Sequence, residues 1–250
     1  LGVDNIGRYN FANSIISYFV LFAGLGINTY AIREGARLRE KENEFRQFAN
    51  EMFSINILST IMSYVLFALL LIIVPKFQEY KTLLIILSLQ IIFKTIGIEW
   101  IYSIYEDYAY ITLRSIVFQV ISLILLFVLV RDENSVNMYA AITVISAVGS
   151  NVLNYFHAKK YCKVGLKIDW EKHLKPIMVL FAMSVTVTIY VSSDTTILGF
   201  LCDDYTVGVY SVSVKIYSIV KTVLSSVLVV SIPRLSALLG INDRTEFNFV

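Results

Sequence analysis

The sequence predicts an all-α integral membrane protein, a polytopic helical chain with seven spans. Three observations predict it. Of the 250 residues, 57% are hydrophobic and only 16% charged, and the mean hydropathy is +0.69, well above that of ordinary soluble domains. Several apolar runs reach the roughly 20 residues needed to cross a hydrocarbon core about 30 Å thick. The Lys and Arg residues collect on one side of the chain's crossings, as the positive-inside bias requires.

The spans run from about Phe11 to Ile32, Met52 to Val74, Leu83 to Tyr105, Ile111 to Val130, Met138 to Phe156, Ile177 to Gly199 and Val207 to Ile232. Most connectors are short and polar, such as "PKFQEYK" from Pro75 and "RDENSVN" from Arg131. Two are longer and basic. One carries Arg33, Arg37, Arg39, Lys41 and Arg46; the other carries Lys159, Lys160, Lys163, Lys167, Lys172 and Lys175. With Arg234 and Arg244 they place thirteen of the twenty-one Lys and Arg on one side, against Arg8, Lys76, Lys81 and Arg131 opposite. The rich side is therefore read as cytoplasmic. The stretch before Phe11 is then external and a further span is expected ahead of it. No cleavable signal peptide is read at Leu1, and the chain reads as an internal piece of a longer protein.

Cys162 lies in a cytoplasmic connector and Cys202 at an outer end, so no disulfide is expected. His157 and His173 have no partners at metal-ligand spacing, and neither a metal site nor a cofactor is expected. No nucleic-acid partner is expected either.

Offset by 201 positions, Gly7 meets Gly208, Tyr9 meets Tyr210, Ile15 meets Ile216, Ser17 meets Ser218 and Arg33 meets Arg234. Six spans separate the copies, an even number, so they share one orientation, the parallel-repeat arrangement of transporters. The competing reading is that Gly and Tyr recur at membrane interfaces, where aromatic residues are enriched.

Charges inside spans are costly and face a bundle interior or a watery cavity. They are Lys94, Glu99, Asp194, Lys215 and Lys221, with Arg8 and Arg114 nearer the ends. At 100° per residue, Ser211, Lys215, Ser218, Lys221, Thr222, Ser225 and Ser226 fall within one arc of about 140° on the last span. Hydrocarbon offers such a stripe no partner, so this helix is expected to line a cavity; interhelical hydrogen bonding is the alternative. One span earlier, Ser184, Thr188 and Thr195 align with Asp194 at their flank. Asp194 is open to pairing with Lys215, to taking up a proton in a transport cycle, or to capping the interface. On the third span Gln90 and Lys94 share one face, and Glu99, Ser103 and Glu106 another. Gly24 and Asn28, one turn apart, are read as allowing close helix contact. A cavity with more Lys than carboxylate suits an anionic passenger.

"GLGINTYAIREGA" from Gly24, "EWIYSIYEDYAYITLRS" from Glu99 and "SSDTTILGFLCDDYTVGVYSVSVKI" from Ser192 resemble the bacterial polysaccharide flippase family. That is the O-antigen and capsule repeat-unit branch of the multidrug/oligosaccharidyl-lipid/polysaccharide exporter superfamily. The resemblance implies two parallel six-helix lobes facing across a cavity. Residues 1–160 would be the N-lobe without its first helix, 161–175 a cytoplasmic connector, and 176–250 the start of the C-lobe. It also implies a protein of the bacterial cytoplasmic (inner) membrane that moves an oligosaccharide repeat unit on undecaprenyl pyrophosphate to the outer leaflet. Membrane lipids, a polysaccharide polymerase and other assembly proteins would be its partners. Arg33, Glu34, Glu106, Asp194, Gly199, Gly208 and Tyr210 match recurring family positions.

On that reading Lys94, Lys215 and Lys221 hold the pyrophosphate or acidic sugars. Ser184, Thr188, Ser218, Thr222 and Ser225 contact sugar hydroxyls, and Asp194 is the candidate coupling group. The alternatives are a related exporter of drugs or of the peptidoglycan lipid precursor, a membrane-embedded polymerase or ligase of lipid-linked sugars, and a non-transporting scaffold. Against the enzyme stands the lack of a long outer loop or clustered acid/base residues in the seven spans, so no catalytic residue is assigned.

Overall fold

The computed structural model describes residues 1–132, 135–162, 165–166, 169 and 171–241, with side chains as far as Ser225. Lys163, Lys167 and Arg244 lie outside the described residues, as do the side chains of Ser226 and Arg234. The helices are α1 (Val3–Gly24), α2 (Ile27–Leu38), α3 (Glu42–Ile73), α4 (Pro75–Glu79), α5 (Lys81–Ile96), α6 (Glu99–Ile104), α7 (Tyr108–Leu129), α8 (Val136–Val148), α9 (Asn151–His157), α10 (Glu171–Leu201) and α11 (Asp204–Ile241). No strand occurs among the described residues. The chain forms two compact units, Leu1–Gly208 and Val209–Val250.

Six helical stretches of the described residues are long and apolar enough to cross a membrane, and the chain is a multi-pass membrane protein. α7 illustrates why. Only Arg114 and Ser122 are buried on it, while Leu113, Val117, Val120, Ile124 and Phe127 are exposed, a surface suited to lipid. Sequence signals set several ends: Glu42 and Glu44 occupy the first turn of α3, where the helix dipole favours anions. Pro75 both ends α3 and opens α4, since proline disfavours a helical residue before it yet fits a first turn.

Three predicted spans are not continuous helices. Phe11 to Ile32 is parted between α1 and α2, where Leu25 takes φ 44° and Gly26 φ 71°. Leu83 to Tyr105 is parted between α5 and α6, where Ile98 takes φ 37°. This third predicted span is the one missing from the six, because α5 has 16 residues, about 24 Å at 1.5 Å per residue. Met138 to Phe156 is parted at Gly149 and Ser150. Hydropathy stays high through each break, so an apolar average runs across it.

The breaks divide the buried residues in two. One core joins Phe11, Ile15 and Phe19 of α1 to Leu84, Leu87 and Ile91 of α5 and Ala140 and Val144 of α8. The other, at the basic end, joins Ile27 and Tyr30 of α2 to Phe45, Phe48 and Met52 of α3, Trp100 to Tyr102 of α6, and Ile177 of α10. Lipid tails are as apolar as these side chains, so close packing and interhelical hydrogen bonds hold the helices together. α10 meets α1 through small residues. Ser17 donates to Ser192 at 3.1 Å and Thr196 to Ser14 at 2.9 Å, and a Cβ on Gly199 would lie 2.0 Å from Phe11 Cδ2.

Residues at the 201-residue offset also make paired contacts. α1 begins at Val3 and α11 at Asp204. A Cβ on Gly7 would come 1.8 Å from the Asp204 carbonyl oxygen, and one on Gly208 would come 2.2 Å from that of Val3. Positions paired by the offset thus make paired contacts at the starts of α1 and α11.

At the basic connector, the Tyr161 hydroxyl donates to Asp107. That bond holds the Asp107 carboxyl below the usual carboxylate range. Burial first, then Asp107, pushes the Tyr161 phenol up to about 12. Cys162 and Cys202 are free; burial pushes the Cys162 thiol up to about 11.

The expected close contact at Gly24 is corrected: a Cβ there meets nothing within 4 Å. The close approach is at Gly26, where a Cβ would lie 2.8 Å from the Phe181 backbone nitrogen on a positive-φ backbone. Gly26→Ala therefore adds about 1–2 kcal/mol of left-handed strain to a clash that must move α10. It should lower the melting temperature of the complete detergent-solubilised protein by several degrees, while Gly24→Ala leaves it unchanged or slightly raised. Equal melting temperatures for the two variants would contradict this assignment of the break.

Candidate functional site

A cavity of about 630 Å³ opens where the breaks between α1 and α2 and between α5 and α6 come together. Irregular backbone at membrane depth is tolerated where side chains or a watery cavity satisfy it, and here side chains do so beside a polar-walled cavity. α1 ends with carbonyls that no helical N–H can reach. Asn56 and Ser59 of α3 donate to the Ala23 carbonyl at 2.7 and 2.6 Å, and Ser63 to that of Phe19 at 2.7 Å. On the other break, Asn154 of α9 donates to the Gly97 carbonyl at 3.1 Å. A Cβ on Gly97 would lie 2.6 Å from the Asn151 side chain.

The polar wall comes from four directions: Asn13 and Ser17 of α1, Asn28 and Thr29 of α2, Gln90, Lys94 and Thr95 of α5, and Ser184, Thr188 and Ser192 of α10. Gln90 donates to Asn13 at 3.4 Å, and Thr95 shares a hydrogen bond of 2.6 Å with Thr60. The indole N–H of Trp100, a lining residue, is buried without an acceptor.

Two charged side chains line this wall, Lys94 and Glu99. On one continuous helix they would occupy different faces; the turn at Ile98 brings Glu99 onto the same cavity as Gln90 and Lys94, which corrects the two-face expectation. Glu99 is engaged from behind. Arg114, only 5% exposed, donates to Glu99 at 3.1 Å and to Asn151 at 3.0 Å. A buried guanidinium needs such a partner, since an uncompensated buried charge costs several kcal/mol. Among the described residues Lys94 makes no ion pair. With Lys94 and Arg114 set against Glu99, the wall keeps a net positive charge.

Of the residues picked out from sequence, the fold brings Lys94, Ser184 and Thr188 to one cavity. Asp194 lies exposed on α10, outside that lining. Lys215, Ser218, Lys221, Thr222 and Ser225 lie exposed on α11 in the second unit, where the Thr222 hydroxyl donates back to the Ser218 carbonyl at 2.8 Å. Glu106 pairs at 3.0 Å with Arg39, and Glu34 at 3.1 Å with Arg37, in exposed positions. Asn13, Ser17, Asn56 and Ser192 were missed. Their signal is four-residue spacing, Asn13 to Ser17 and Ser184 to Thr188 to Ser192, which places polar groups on one helix face. His173, without partners at metal-ligand spacing in the sequence, meets Glu51, 122 positions away, at 2.8 Å. No group of three His, Cys, Asp or Glu poised for a metal occurs among the described residues.

Residues 1–239 match the family described as polysaccharide biosynthesis protein. Two curated relatives are a protein of Escherichia coli (strain K12) provisionally named an O-antigen transporter, 19% identical over 97% of this chain and 59% of its own length, and the capsular polysaccharide biosynthesis protein CapF of Staphylococcus aureus, 23% identical over 98% of this chain and 61% of its own. The chain thus spans about three-fifths of the relatives it matches. No solved structure matches it.

The Glu99–Arg114 pair yields a double-mutant test in the complete protein. Glu99→Gln leaves Arg114 buried without a counter-charge and should destabilise by about 2–3 kcal/mol, less than the roughly 3–5 kcal/mol of breaking a fully buried pair, because the Glu99 side chain is 42% exposed to the cavity. Arg114→Met combined with Glu99→Gln should recover much of that loss. A double variant less stable than Glu99→Gln alone, by chemical denaturation, would contradict the neutralising role.

Proposed function

Because the chain belongs to the polysaccharide biosynthesis protein family, we propose that it forms part of a flippase for undecaprenyl-pyrophosphate-linked oligosaccharide repeat units. The complete protein carries them from the cytoplasmic to the outer leaflet of the bacterial inner membrane for surface polysaccharide assembly. The observation that carries this reading is the cavity between broken helices, with unpaired Lys94 set among hydroxyl and amide groups. A compact ammonium suits a pyrophosphate, and hydroxyls and amides suit sugars. Broken helices around a midplane site are a recurring transporter design.

In this reading residues 1–160 belong to one lobe, 161–175 connect, and 176 onward opens the second, whose Lys215 and Lys221 supply further positive charge. The lobes rock about the cavity in alternating access. Ser184 and Thr188 contact sugars from α10, Ser218, Thr222 and Ser225 do so from α11, and Asp194 remains the proposed coupling group. Transport fits the wall better than group transfer does, because its carboxylate, Glu99, is engaged by Arg114. A polymerase receiving the flipped unit is the expected partner.

The test uses cells lacking the complete gene, rescued by wild type or variants, and asks in which leaflet lipid-linked repeat units accumulate, scored with an impermeant glycosidase. Deletion should trap them facing the cytoplasm. Charged hydrogen bonds contribute about 1.5–3 kcal/mol and each 1.4 kcal/mol is tenfold, so Lys94→Gln should slow export by at least about tenfold at unchanged membrane abundance. Lys215→Gln with Lys221→Gln should impair it too. Normal surface glycan with increased drug sensitivity would point to a drug exporter instead; units that reach the outer leaflet unpolymerised would point to an enzyme.

A further inference from the structure

A second cluster lies at the basic end of the first unit. Glu51 of α3 is 1% exposed and His173 of α10 is 5% exposed. His173 Nε2 is 2.8 Å from Glu51 Oε2, and its Nδ1 is 2.9 Å from the Tyr30 hydroxyl of α2. Gln47 donates to the other Glu51 oxygen at 2.8 Å. Phe48 and Tyr30 stand edge-on to the imidazole, with centroids 5.6 and 5.7 Å away, and fix its plane. A pocket of about 300 Å³ adjoins the cluster.

We propose that Glu51, His173 and Tyr30 form a proton-binding site, and that the proton it takes tightens the hold of α10 on α2 and α3. A buried carboxylate requires a positive partner. Lys172 reaches Glu51 at 3.1 Å but is 52% exposed, so water screens its contribution. The counter-charge that is itself buried is the imidazolium. The cluster accommodates both protonation states without moving a heavy atom. With neutral imidazole, Nε2–H donates to Glu51 and the Tyr30 hydroxyl donates to Nδ1. With imidazolium, both ring N–H groups donate, to Glu51 and to the Tyr30 oxygen. A hydroxyl is the partner that can switch between these roles.

The charged and titratable groups facing the site are Tyr30 and Glu34 from α2, Glu44 and Glu51 from α3, and Lys172 from α10, with Asp169 3.6 Å from Lys172. Glu34, Glu44 and Gln47 line the pocket and give the proton a polar way in. Charge-assisted hydrogen bonds are roughly twice as strong as neutral ones, so the loaded site is the tighter one. The sign follows: α10 is held more firmly when the site carries its proton, at the lower pH, and loosens when the proton leaves. The cargo does not enter this inference, which stands apart from the translocation reading.

The test is hydrogen–deuterium exchange of the α10 segment 171–180 in the complete protein in lipid nanodiscs, at about pH 5.5 and 8.5, corrected for intrinsic exchange chemistry. Wild type should exchange several-fold more slowly at the lower pH. His173→Gln and Glu51→Gln should each flatten that difference. Wild-type exchange independent of pH, or a pH dependence that survives His173→Gln, would overturn the proposal. Should both variants fail to fold, Tyr30→Phe decides. It removes the acceptor of the imidazolium N–H and should move the midpoint of the protection change to lower pH; an unmoved midpoint overturns the proposal. None of these outcomes bears on whether lipid-linked sugars are flipped.

Discussion

Hydrocarbon gives a backbone N–H or C=O no partner, so a chain leaves the helical conformation at membrane depth only where side chains or water take over its hydrogen bonds. The middle of the first unit is arranged around that constraint. α1 stops at Gly24, and its freed Ala23 carbonyl is taken by Asn56 and Ser59, while Ser63 adds a bond to the Phe19 carbonyl within the helix. α5 stops at Ile96, and Asn154 takes the Gly97 carbonyl. Leu25 and Ile98 hold positive φ angles that a non-glycine residue adopts at a cost. Such strain persists where the surroundings over-determine it, and here the two strained turns stand at the cavity.

The cavity's charge follows from the same breaks. Turning the chain at Ile98 places Glu99 on the wall beside Lys94. Arg114 then holds Glu99 from the protein side. One carboxylate is thus committed to an internal guanidinium, and the ammonium of Lys94 makes no ion pair among the described residues. Arg and Lys divide the work along the lines of their chemistry: a planar, always-charged group anchors the buried pair, and a compact charge on a mobile stem faces the cavity.

The helical membrane class was legible because composition and run length dominate it. Lys94, Ser184 and Thr188 were legible because polar residues inside apolar runs need a shared interior, and Ser184 and Thr188 repeat every fourth residue. The breaks were not legible. Single glycines such as Gly26, Gly97 and Gly149 are weak punctuation in an apolar run, and a hydropathy window averages across them. The same averaging put Glu99 on the wrong face and Gly24, rather than Gly26, at the close contact. Glu51 and His173 lie 122 residues apart, and no local spacing rule joins residues that only tertiary packing brings together.

That the broken helices wall a polar, wetted cavity is the claim on which the functional reading stands. It is tested most directly by thiol accessibility in the complete protein, on a Cys162→Ser, Cys202→Ser background in native membranes. Gln90→Cys, Ser184→Cys and Thr188→Cys should react readily with an anionic, membrane-impermeant thiosulfonate, because the reactive thiolate forms only where water reaches it and Lys94 draws the reagent in. Val120→Cys, on the exposed apolar face of α7, should stay nearly inert. If the cavity cysteines react as slowly as Val120→Cys, the space between the breaks is dry packing and the account of it as a substrate path fails.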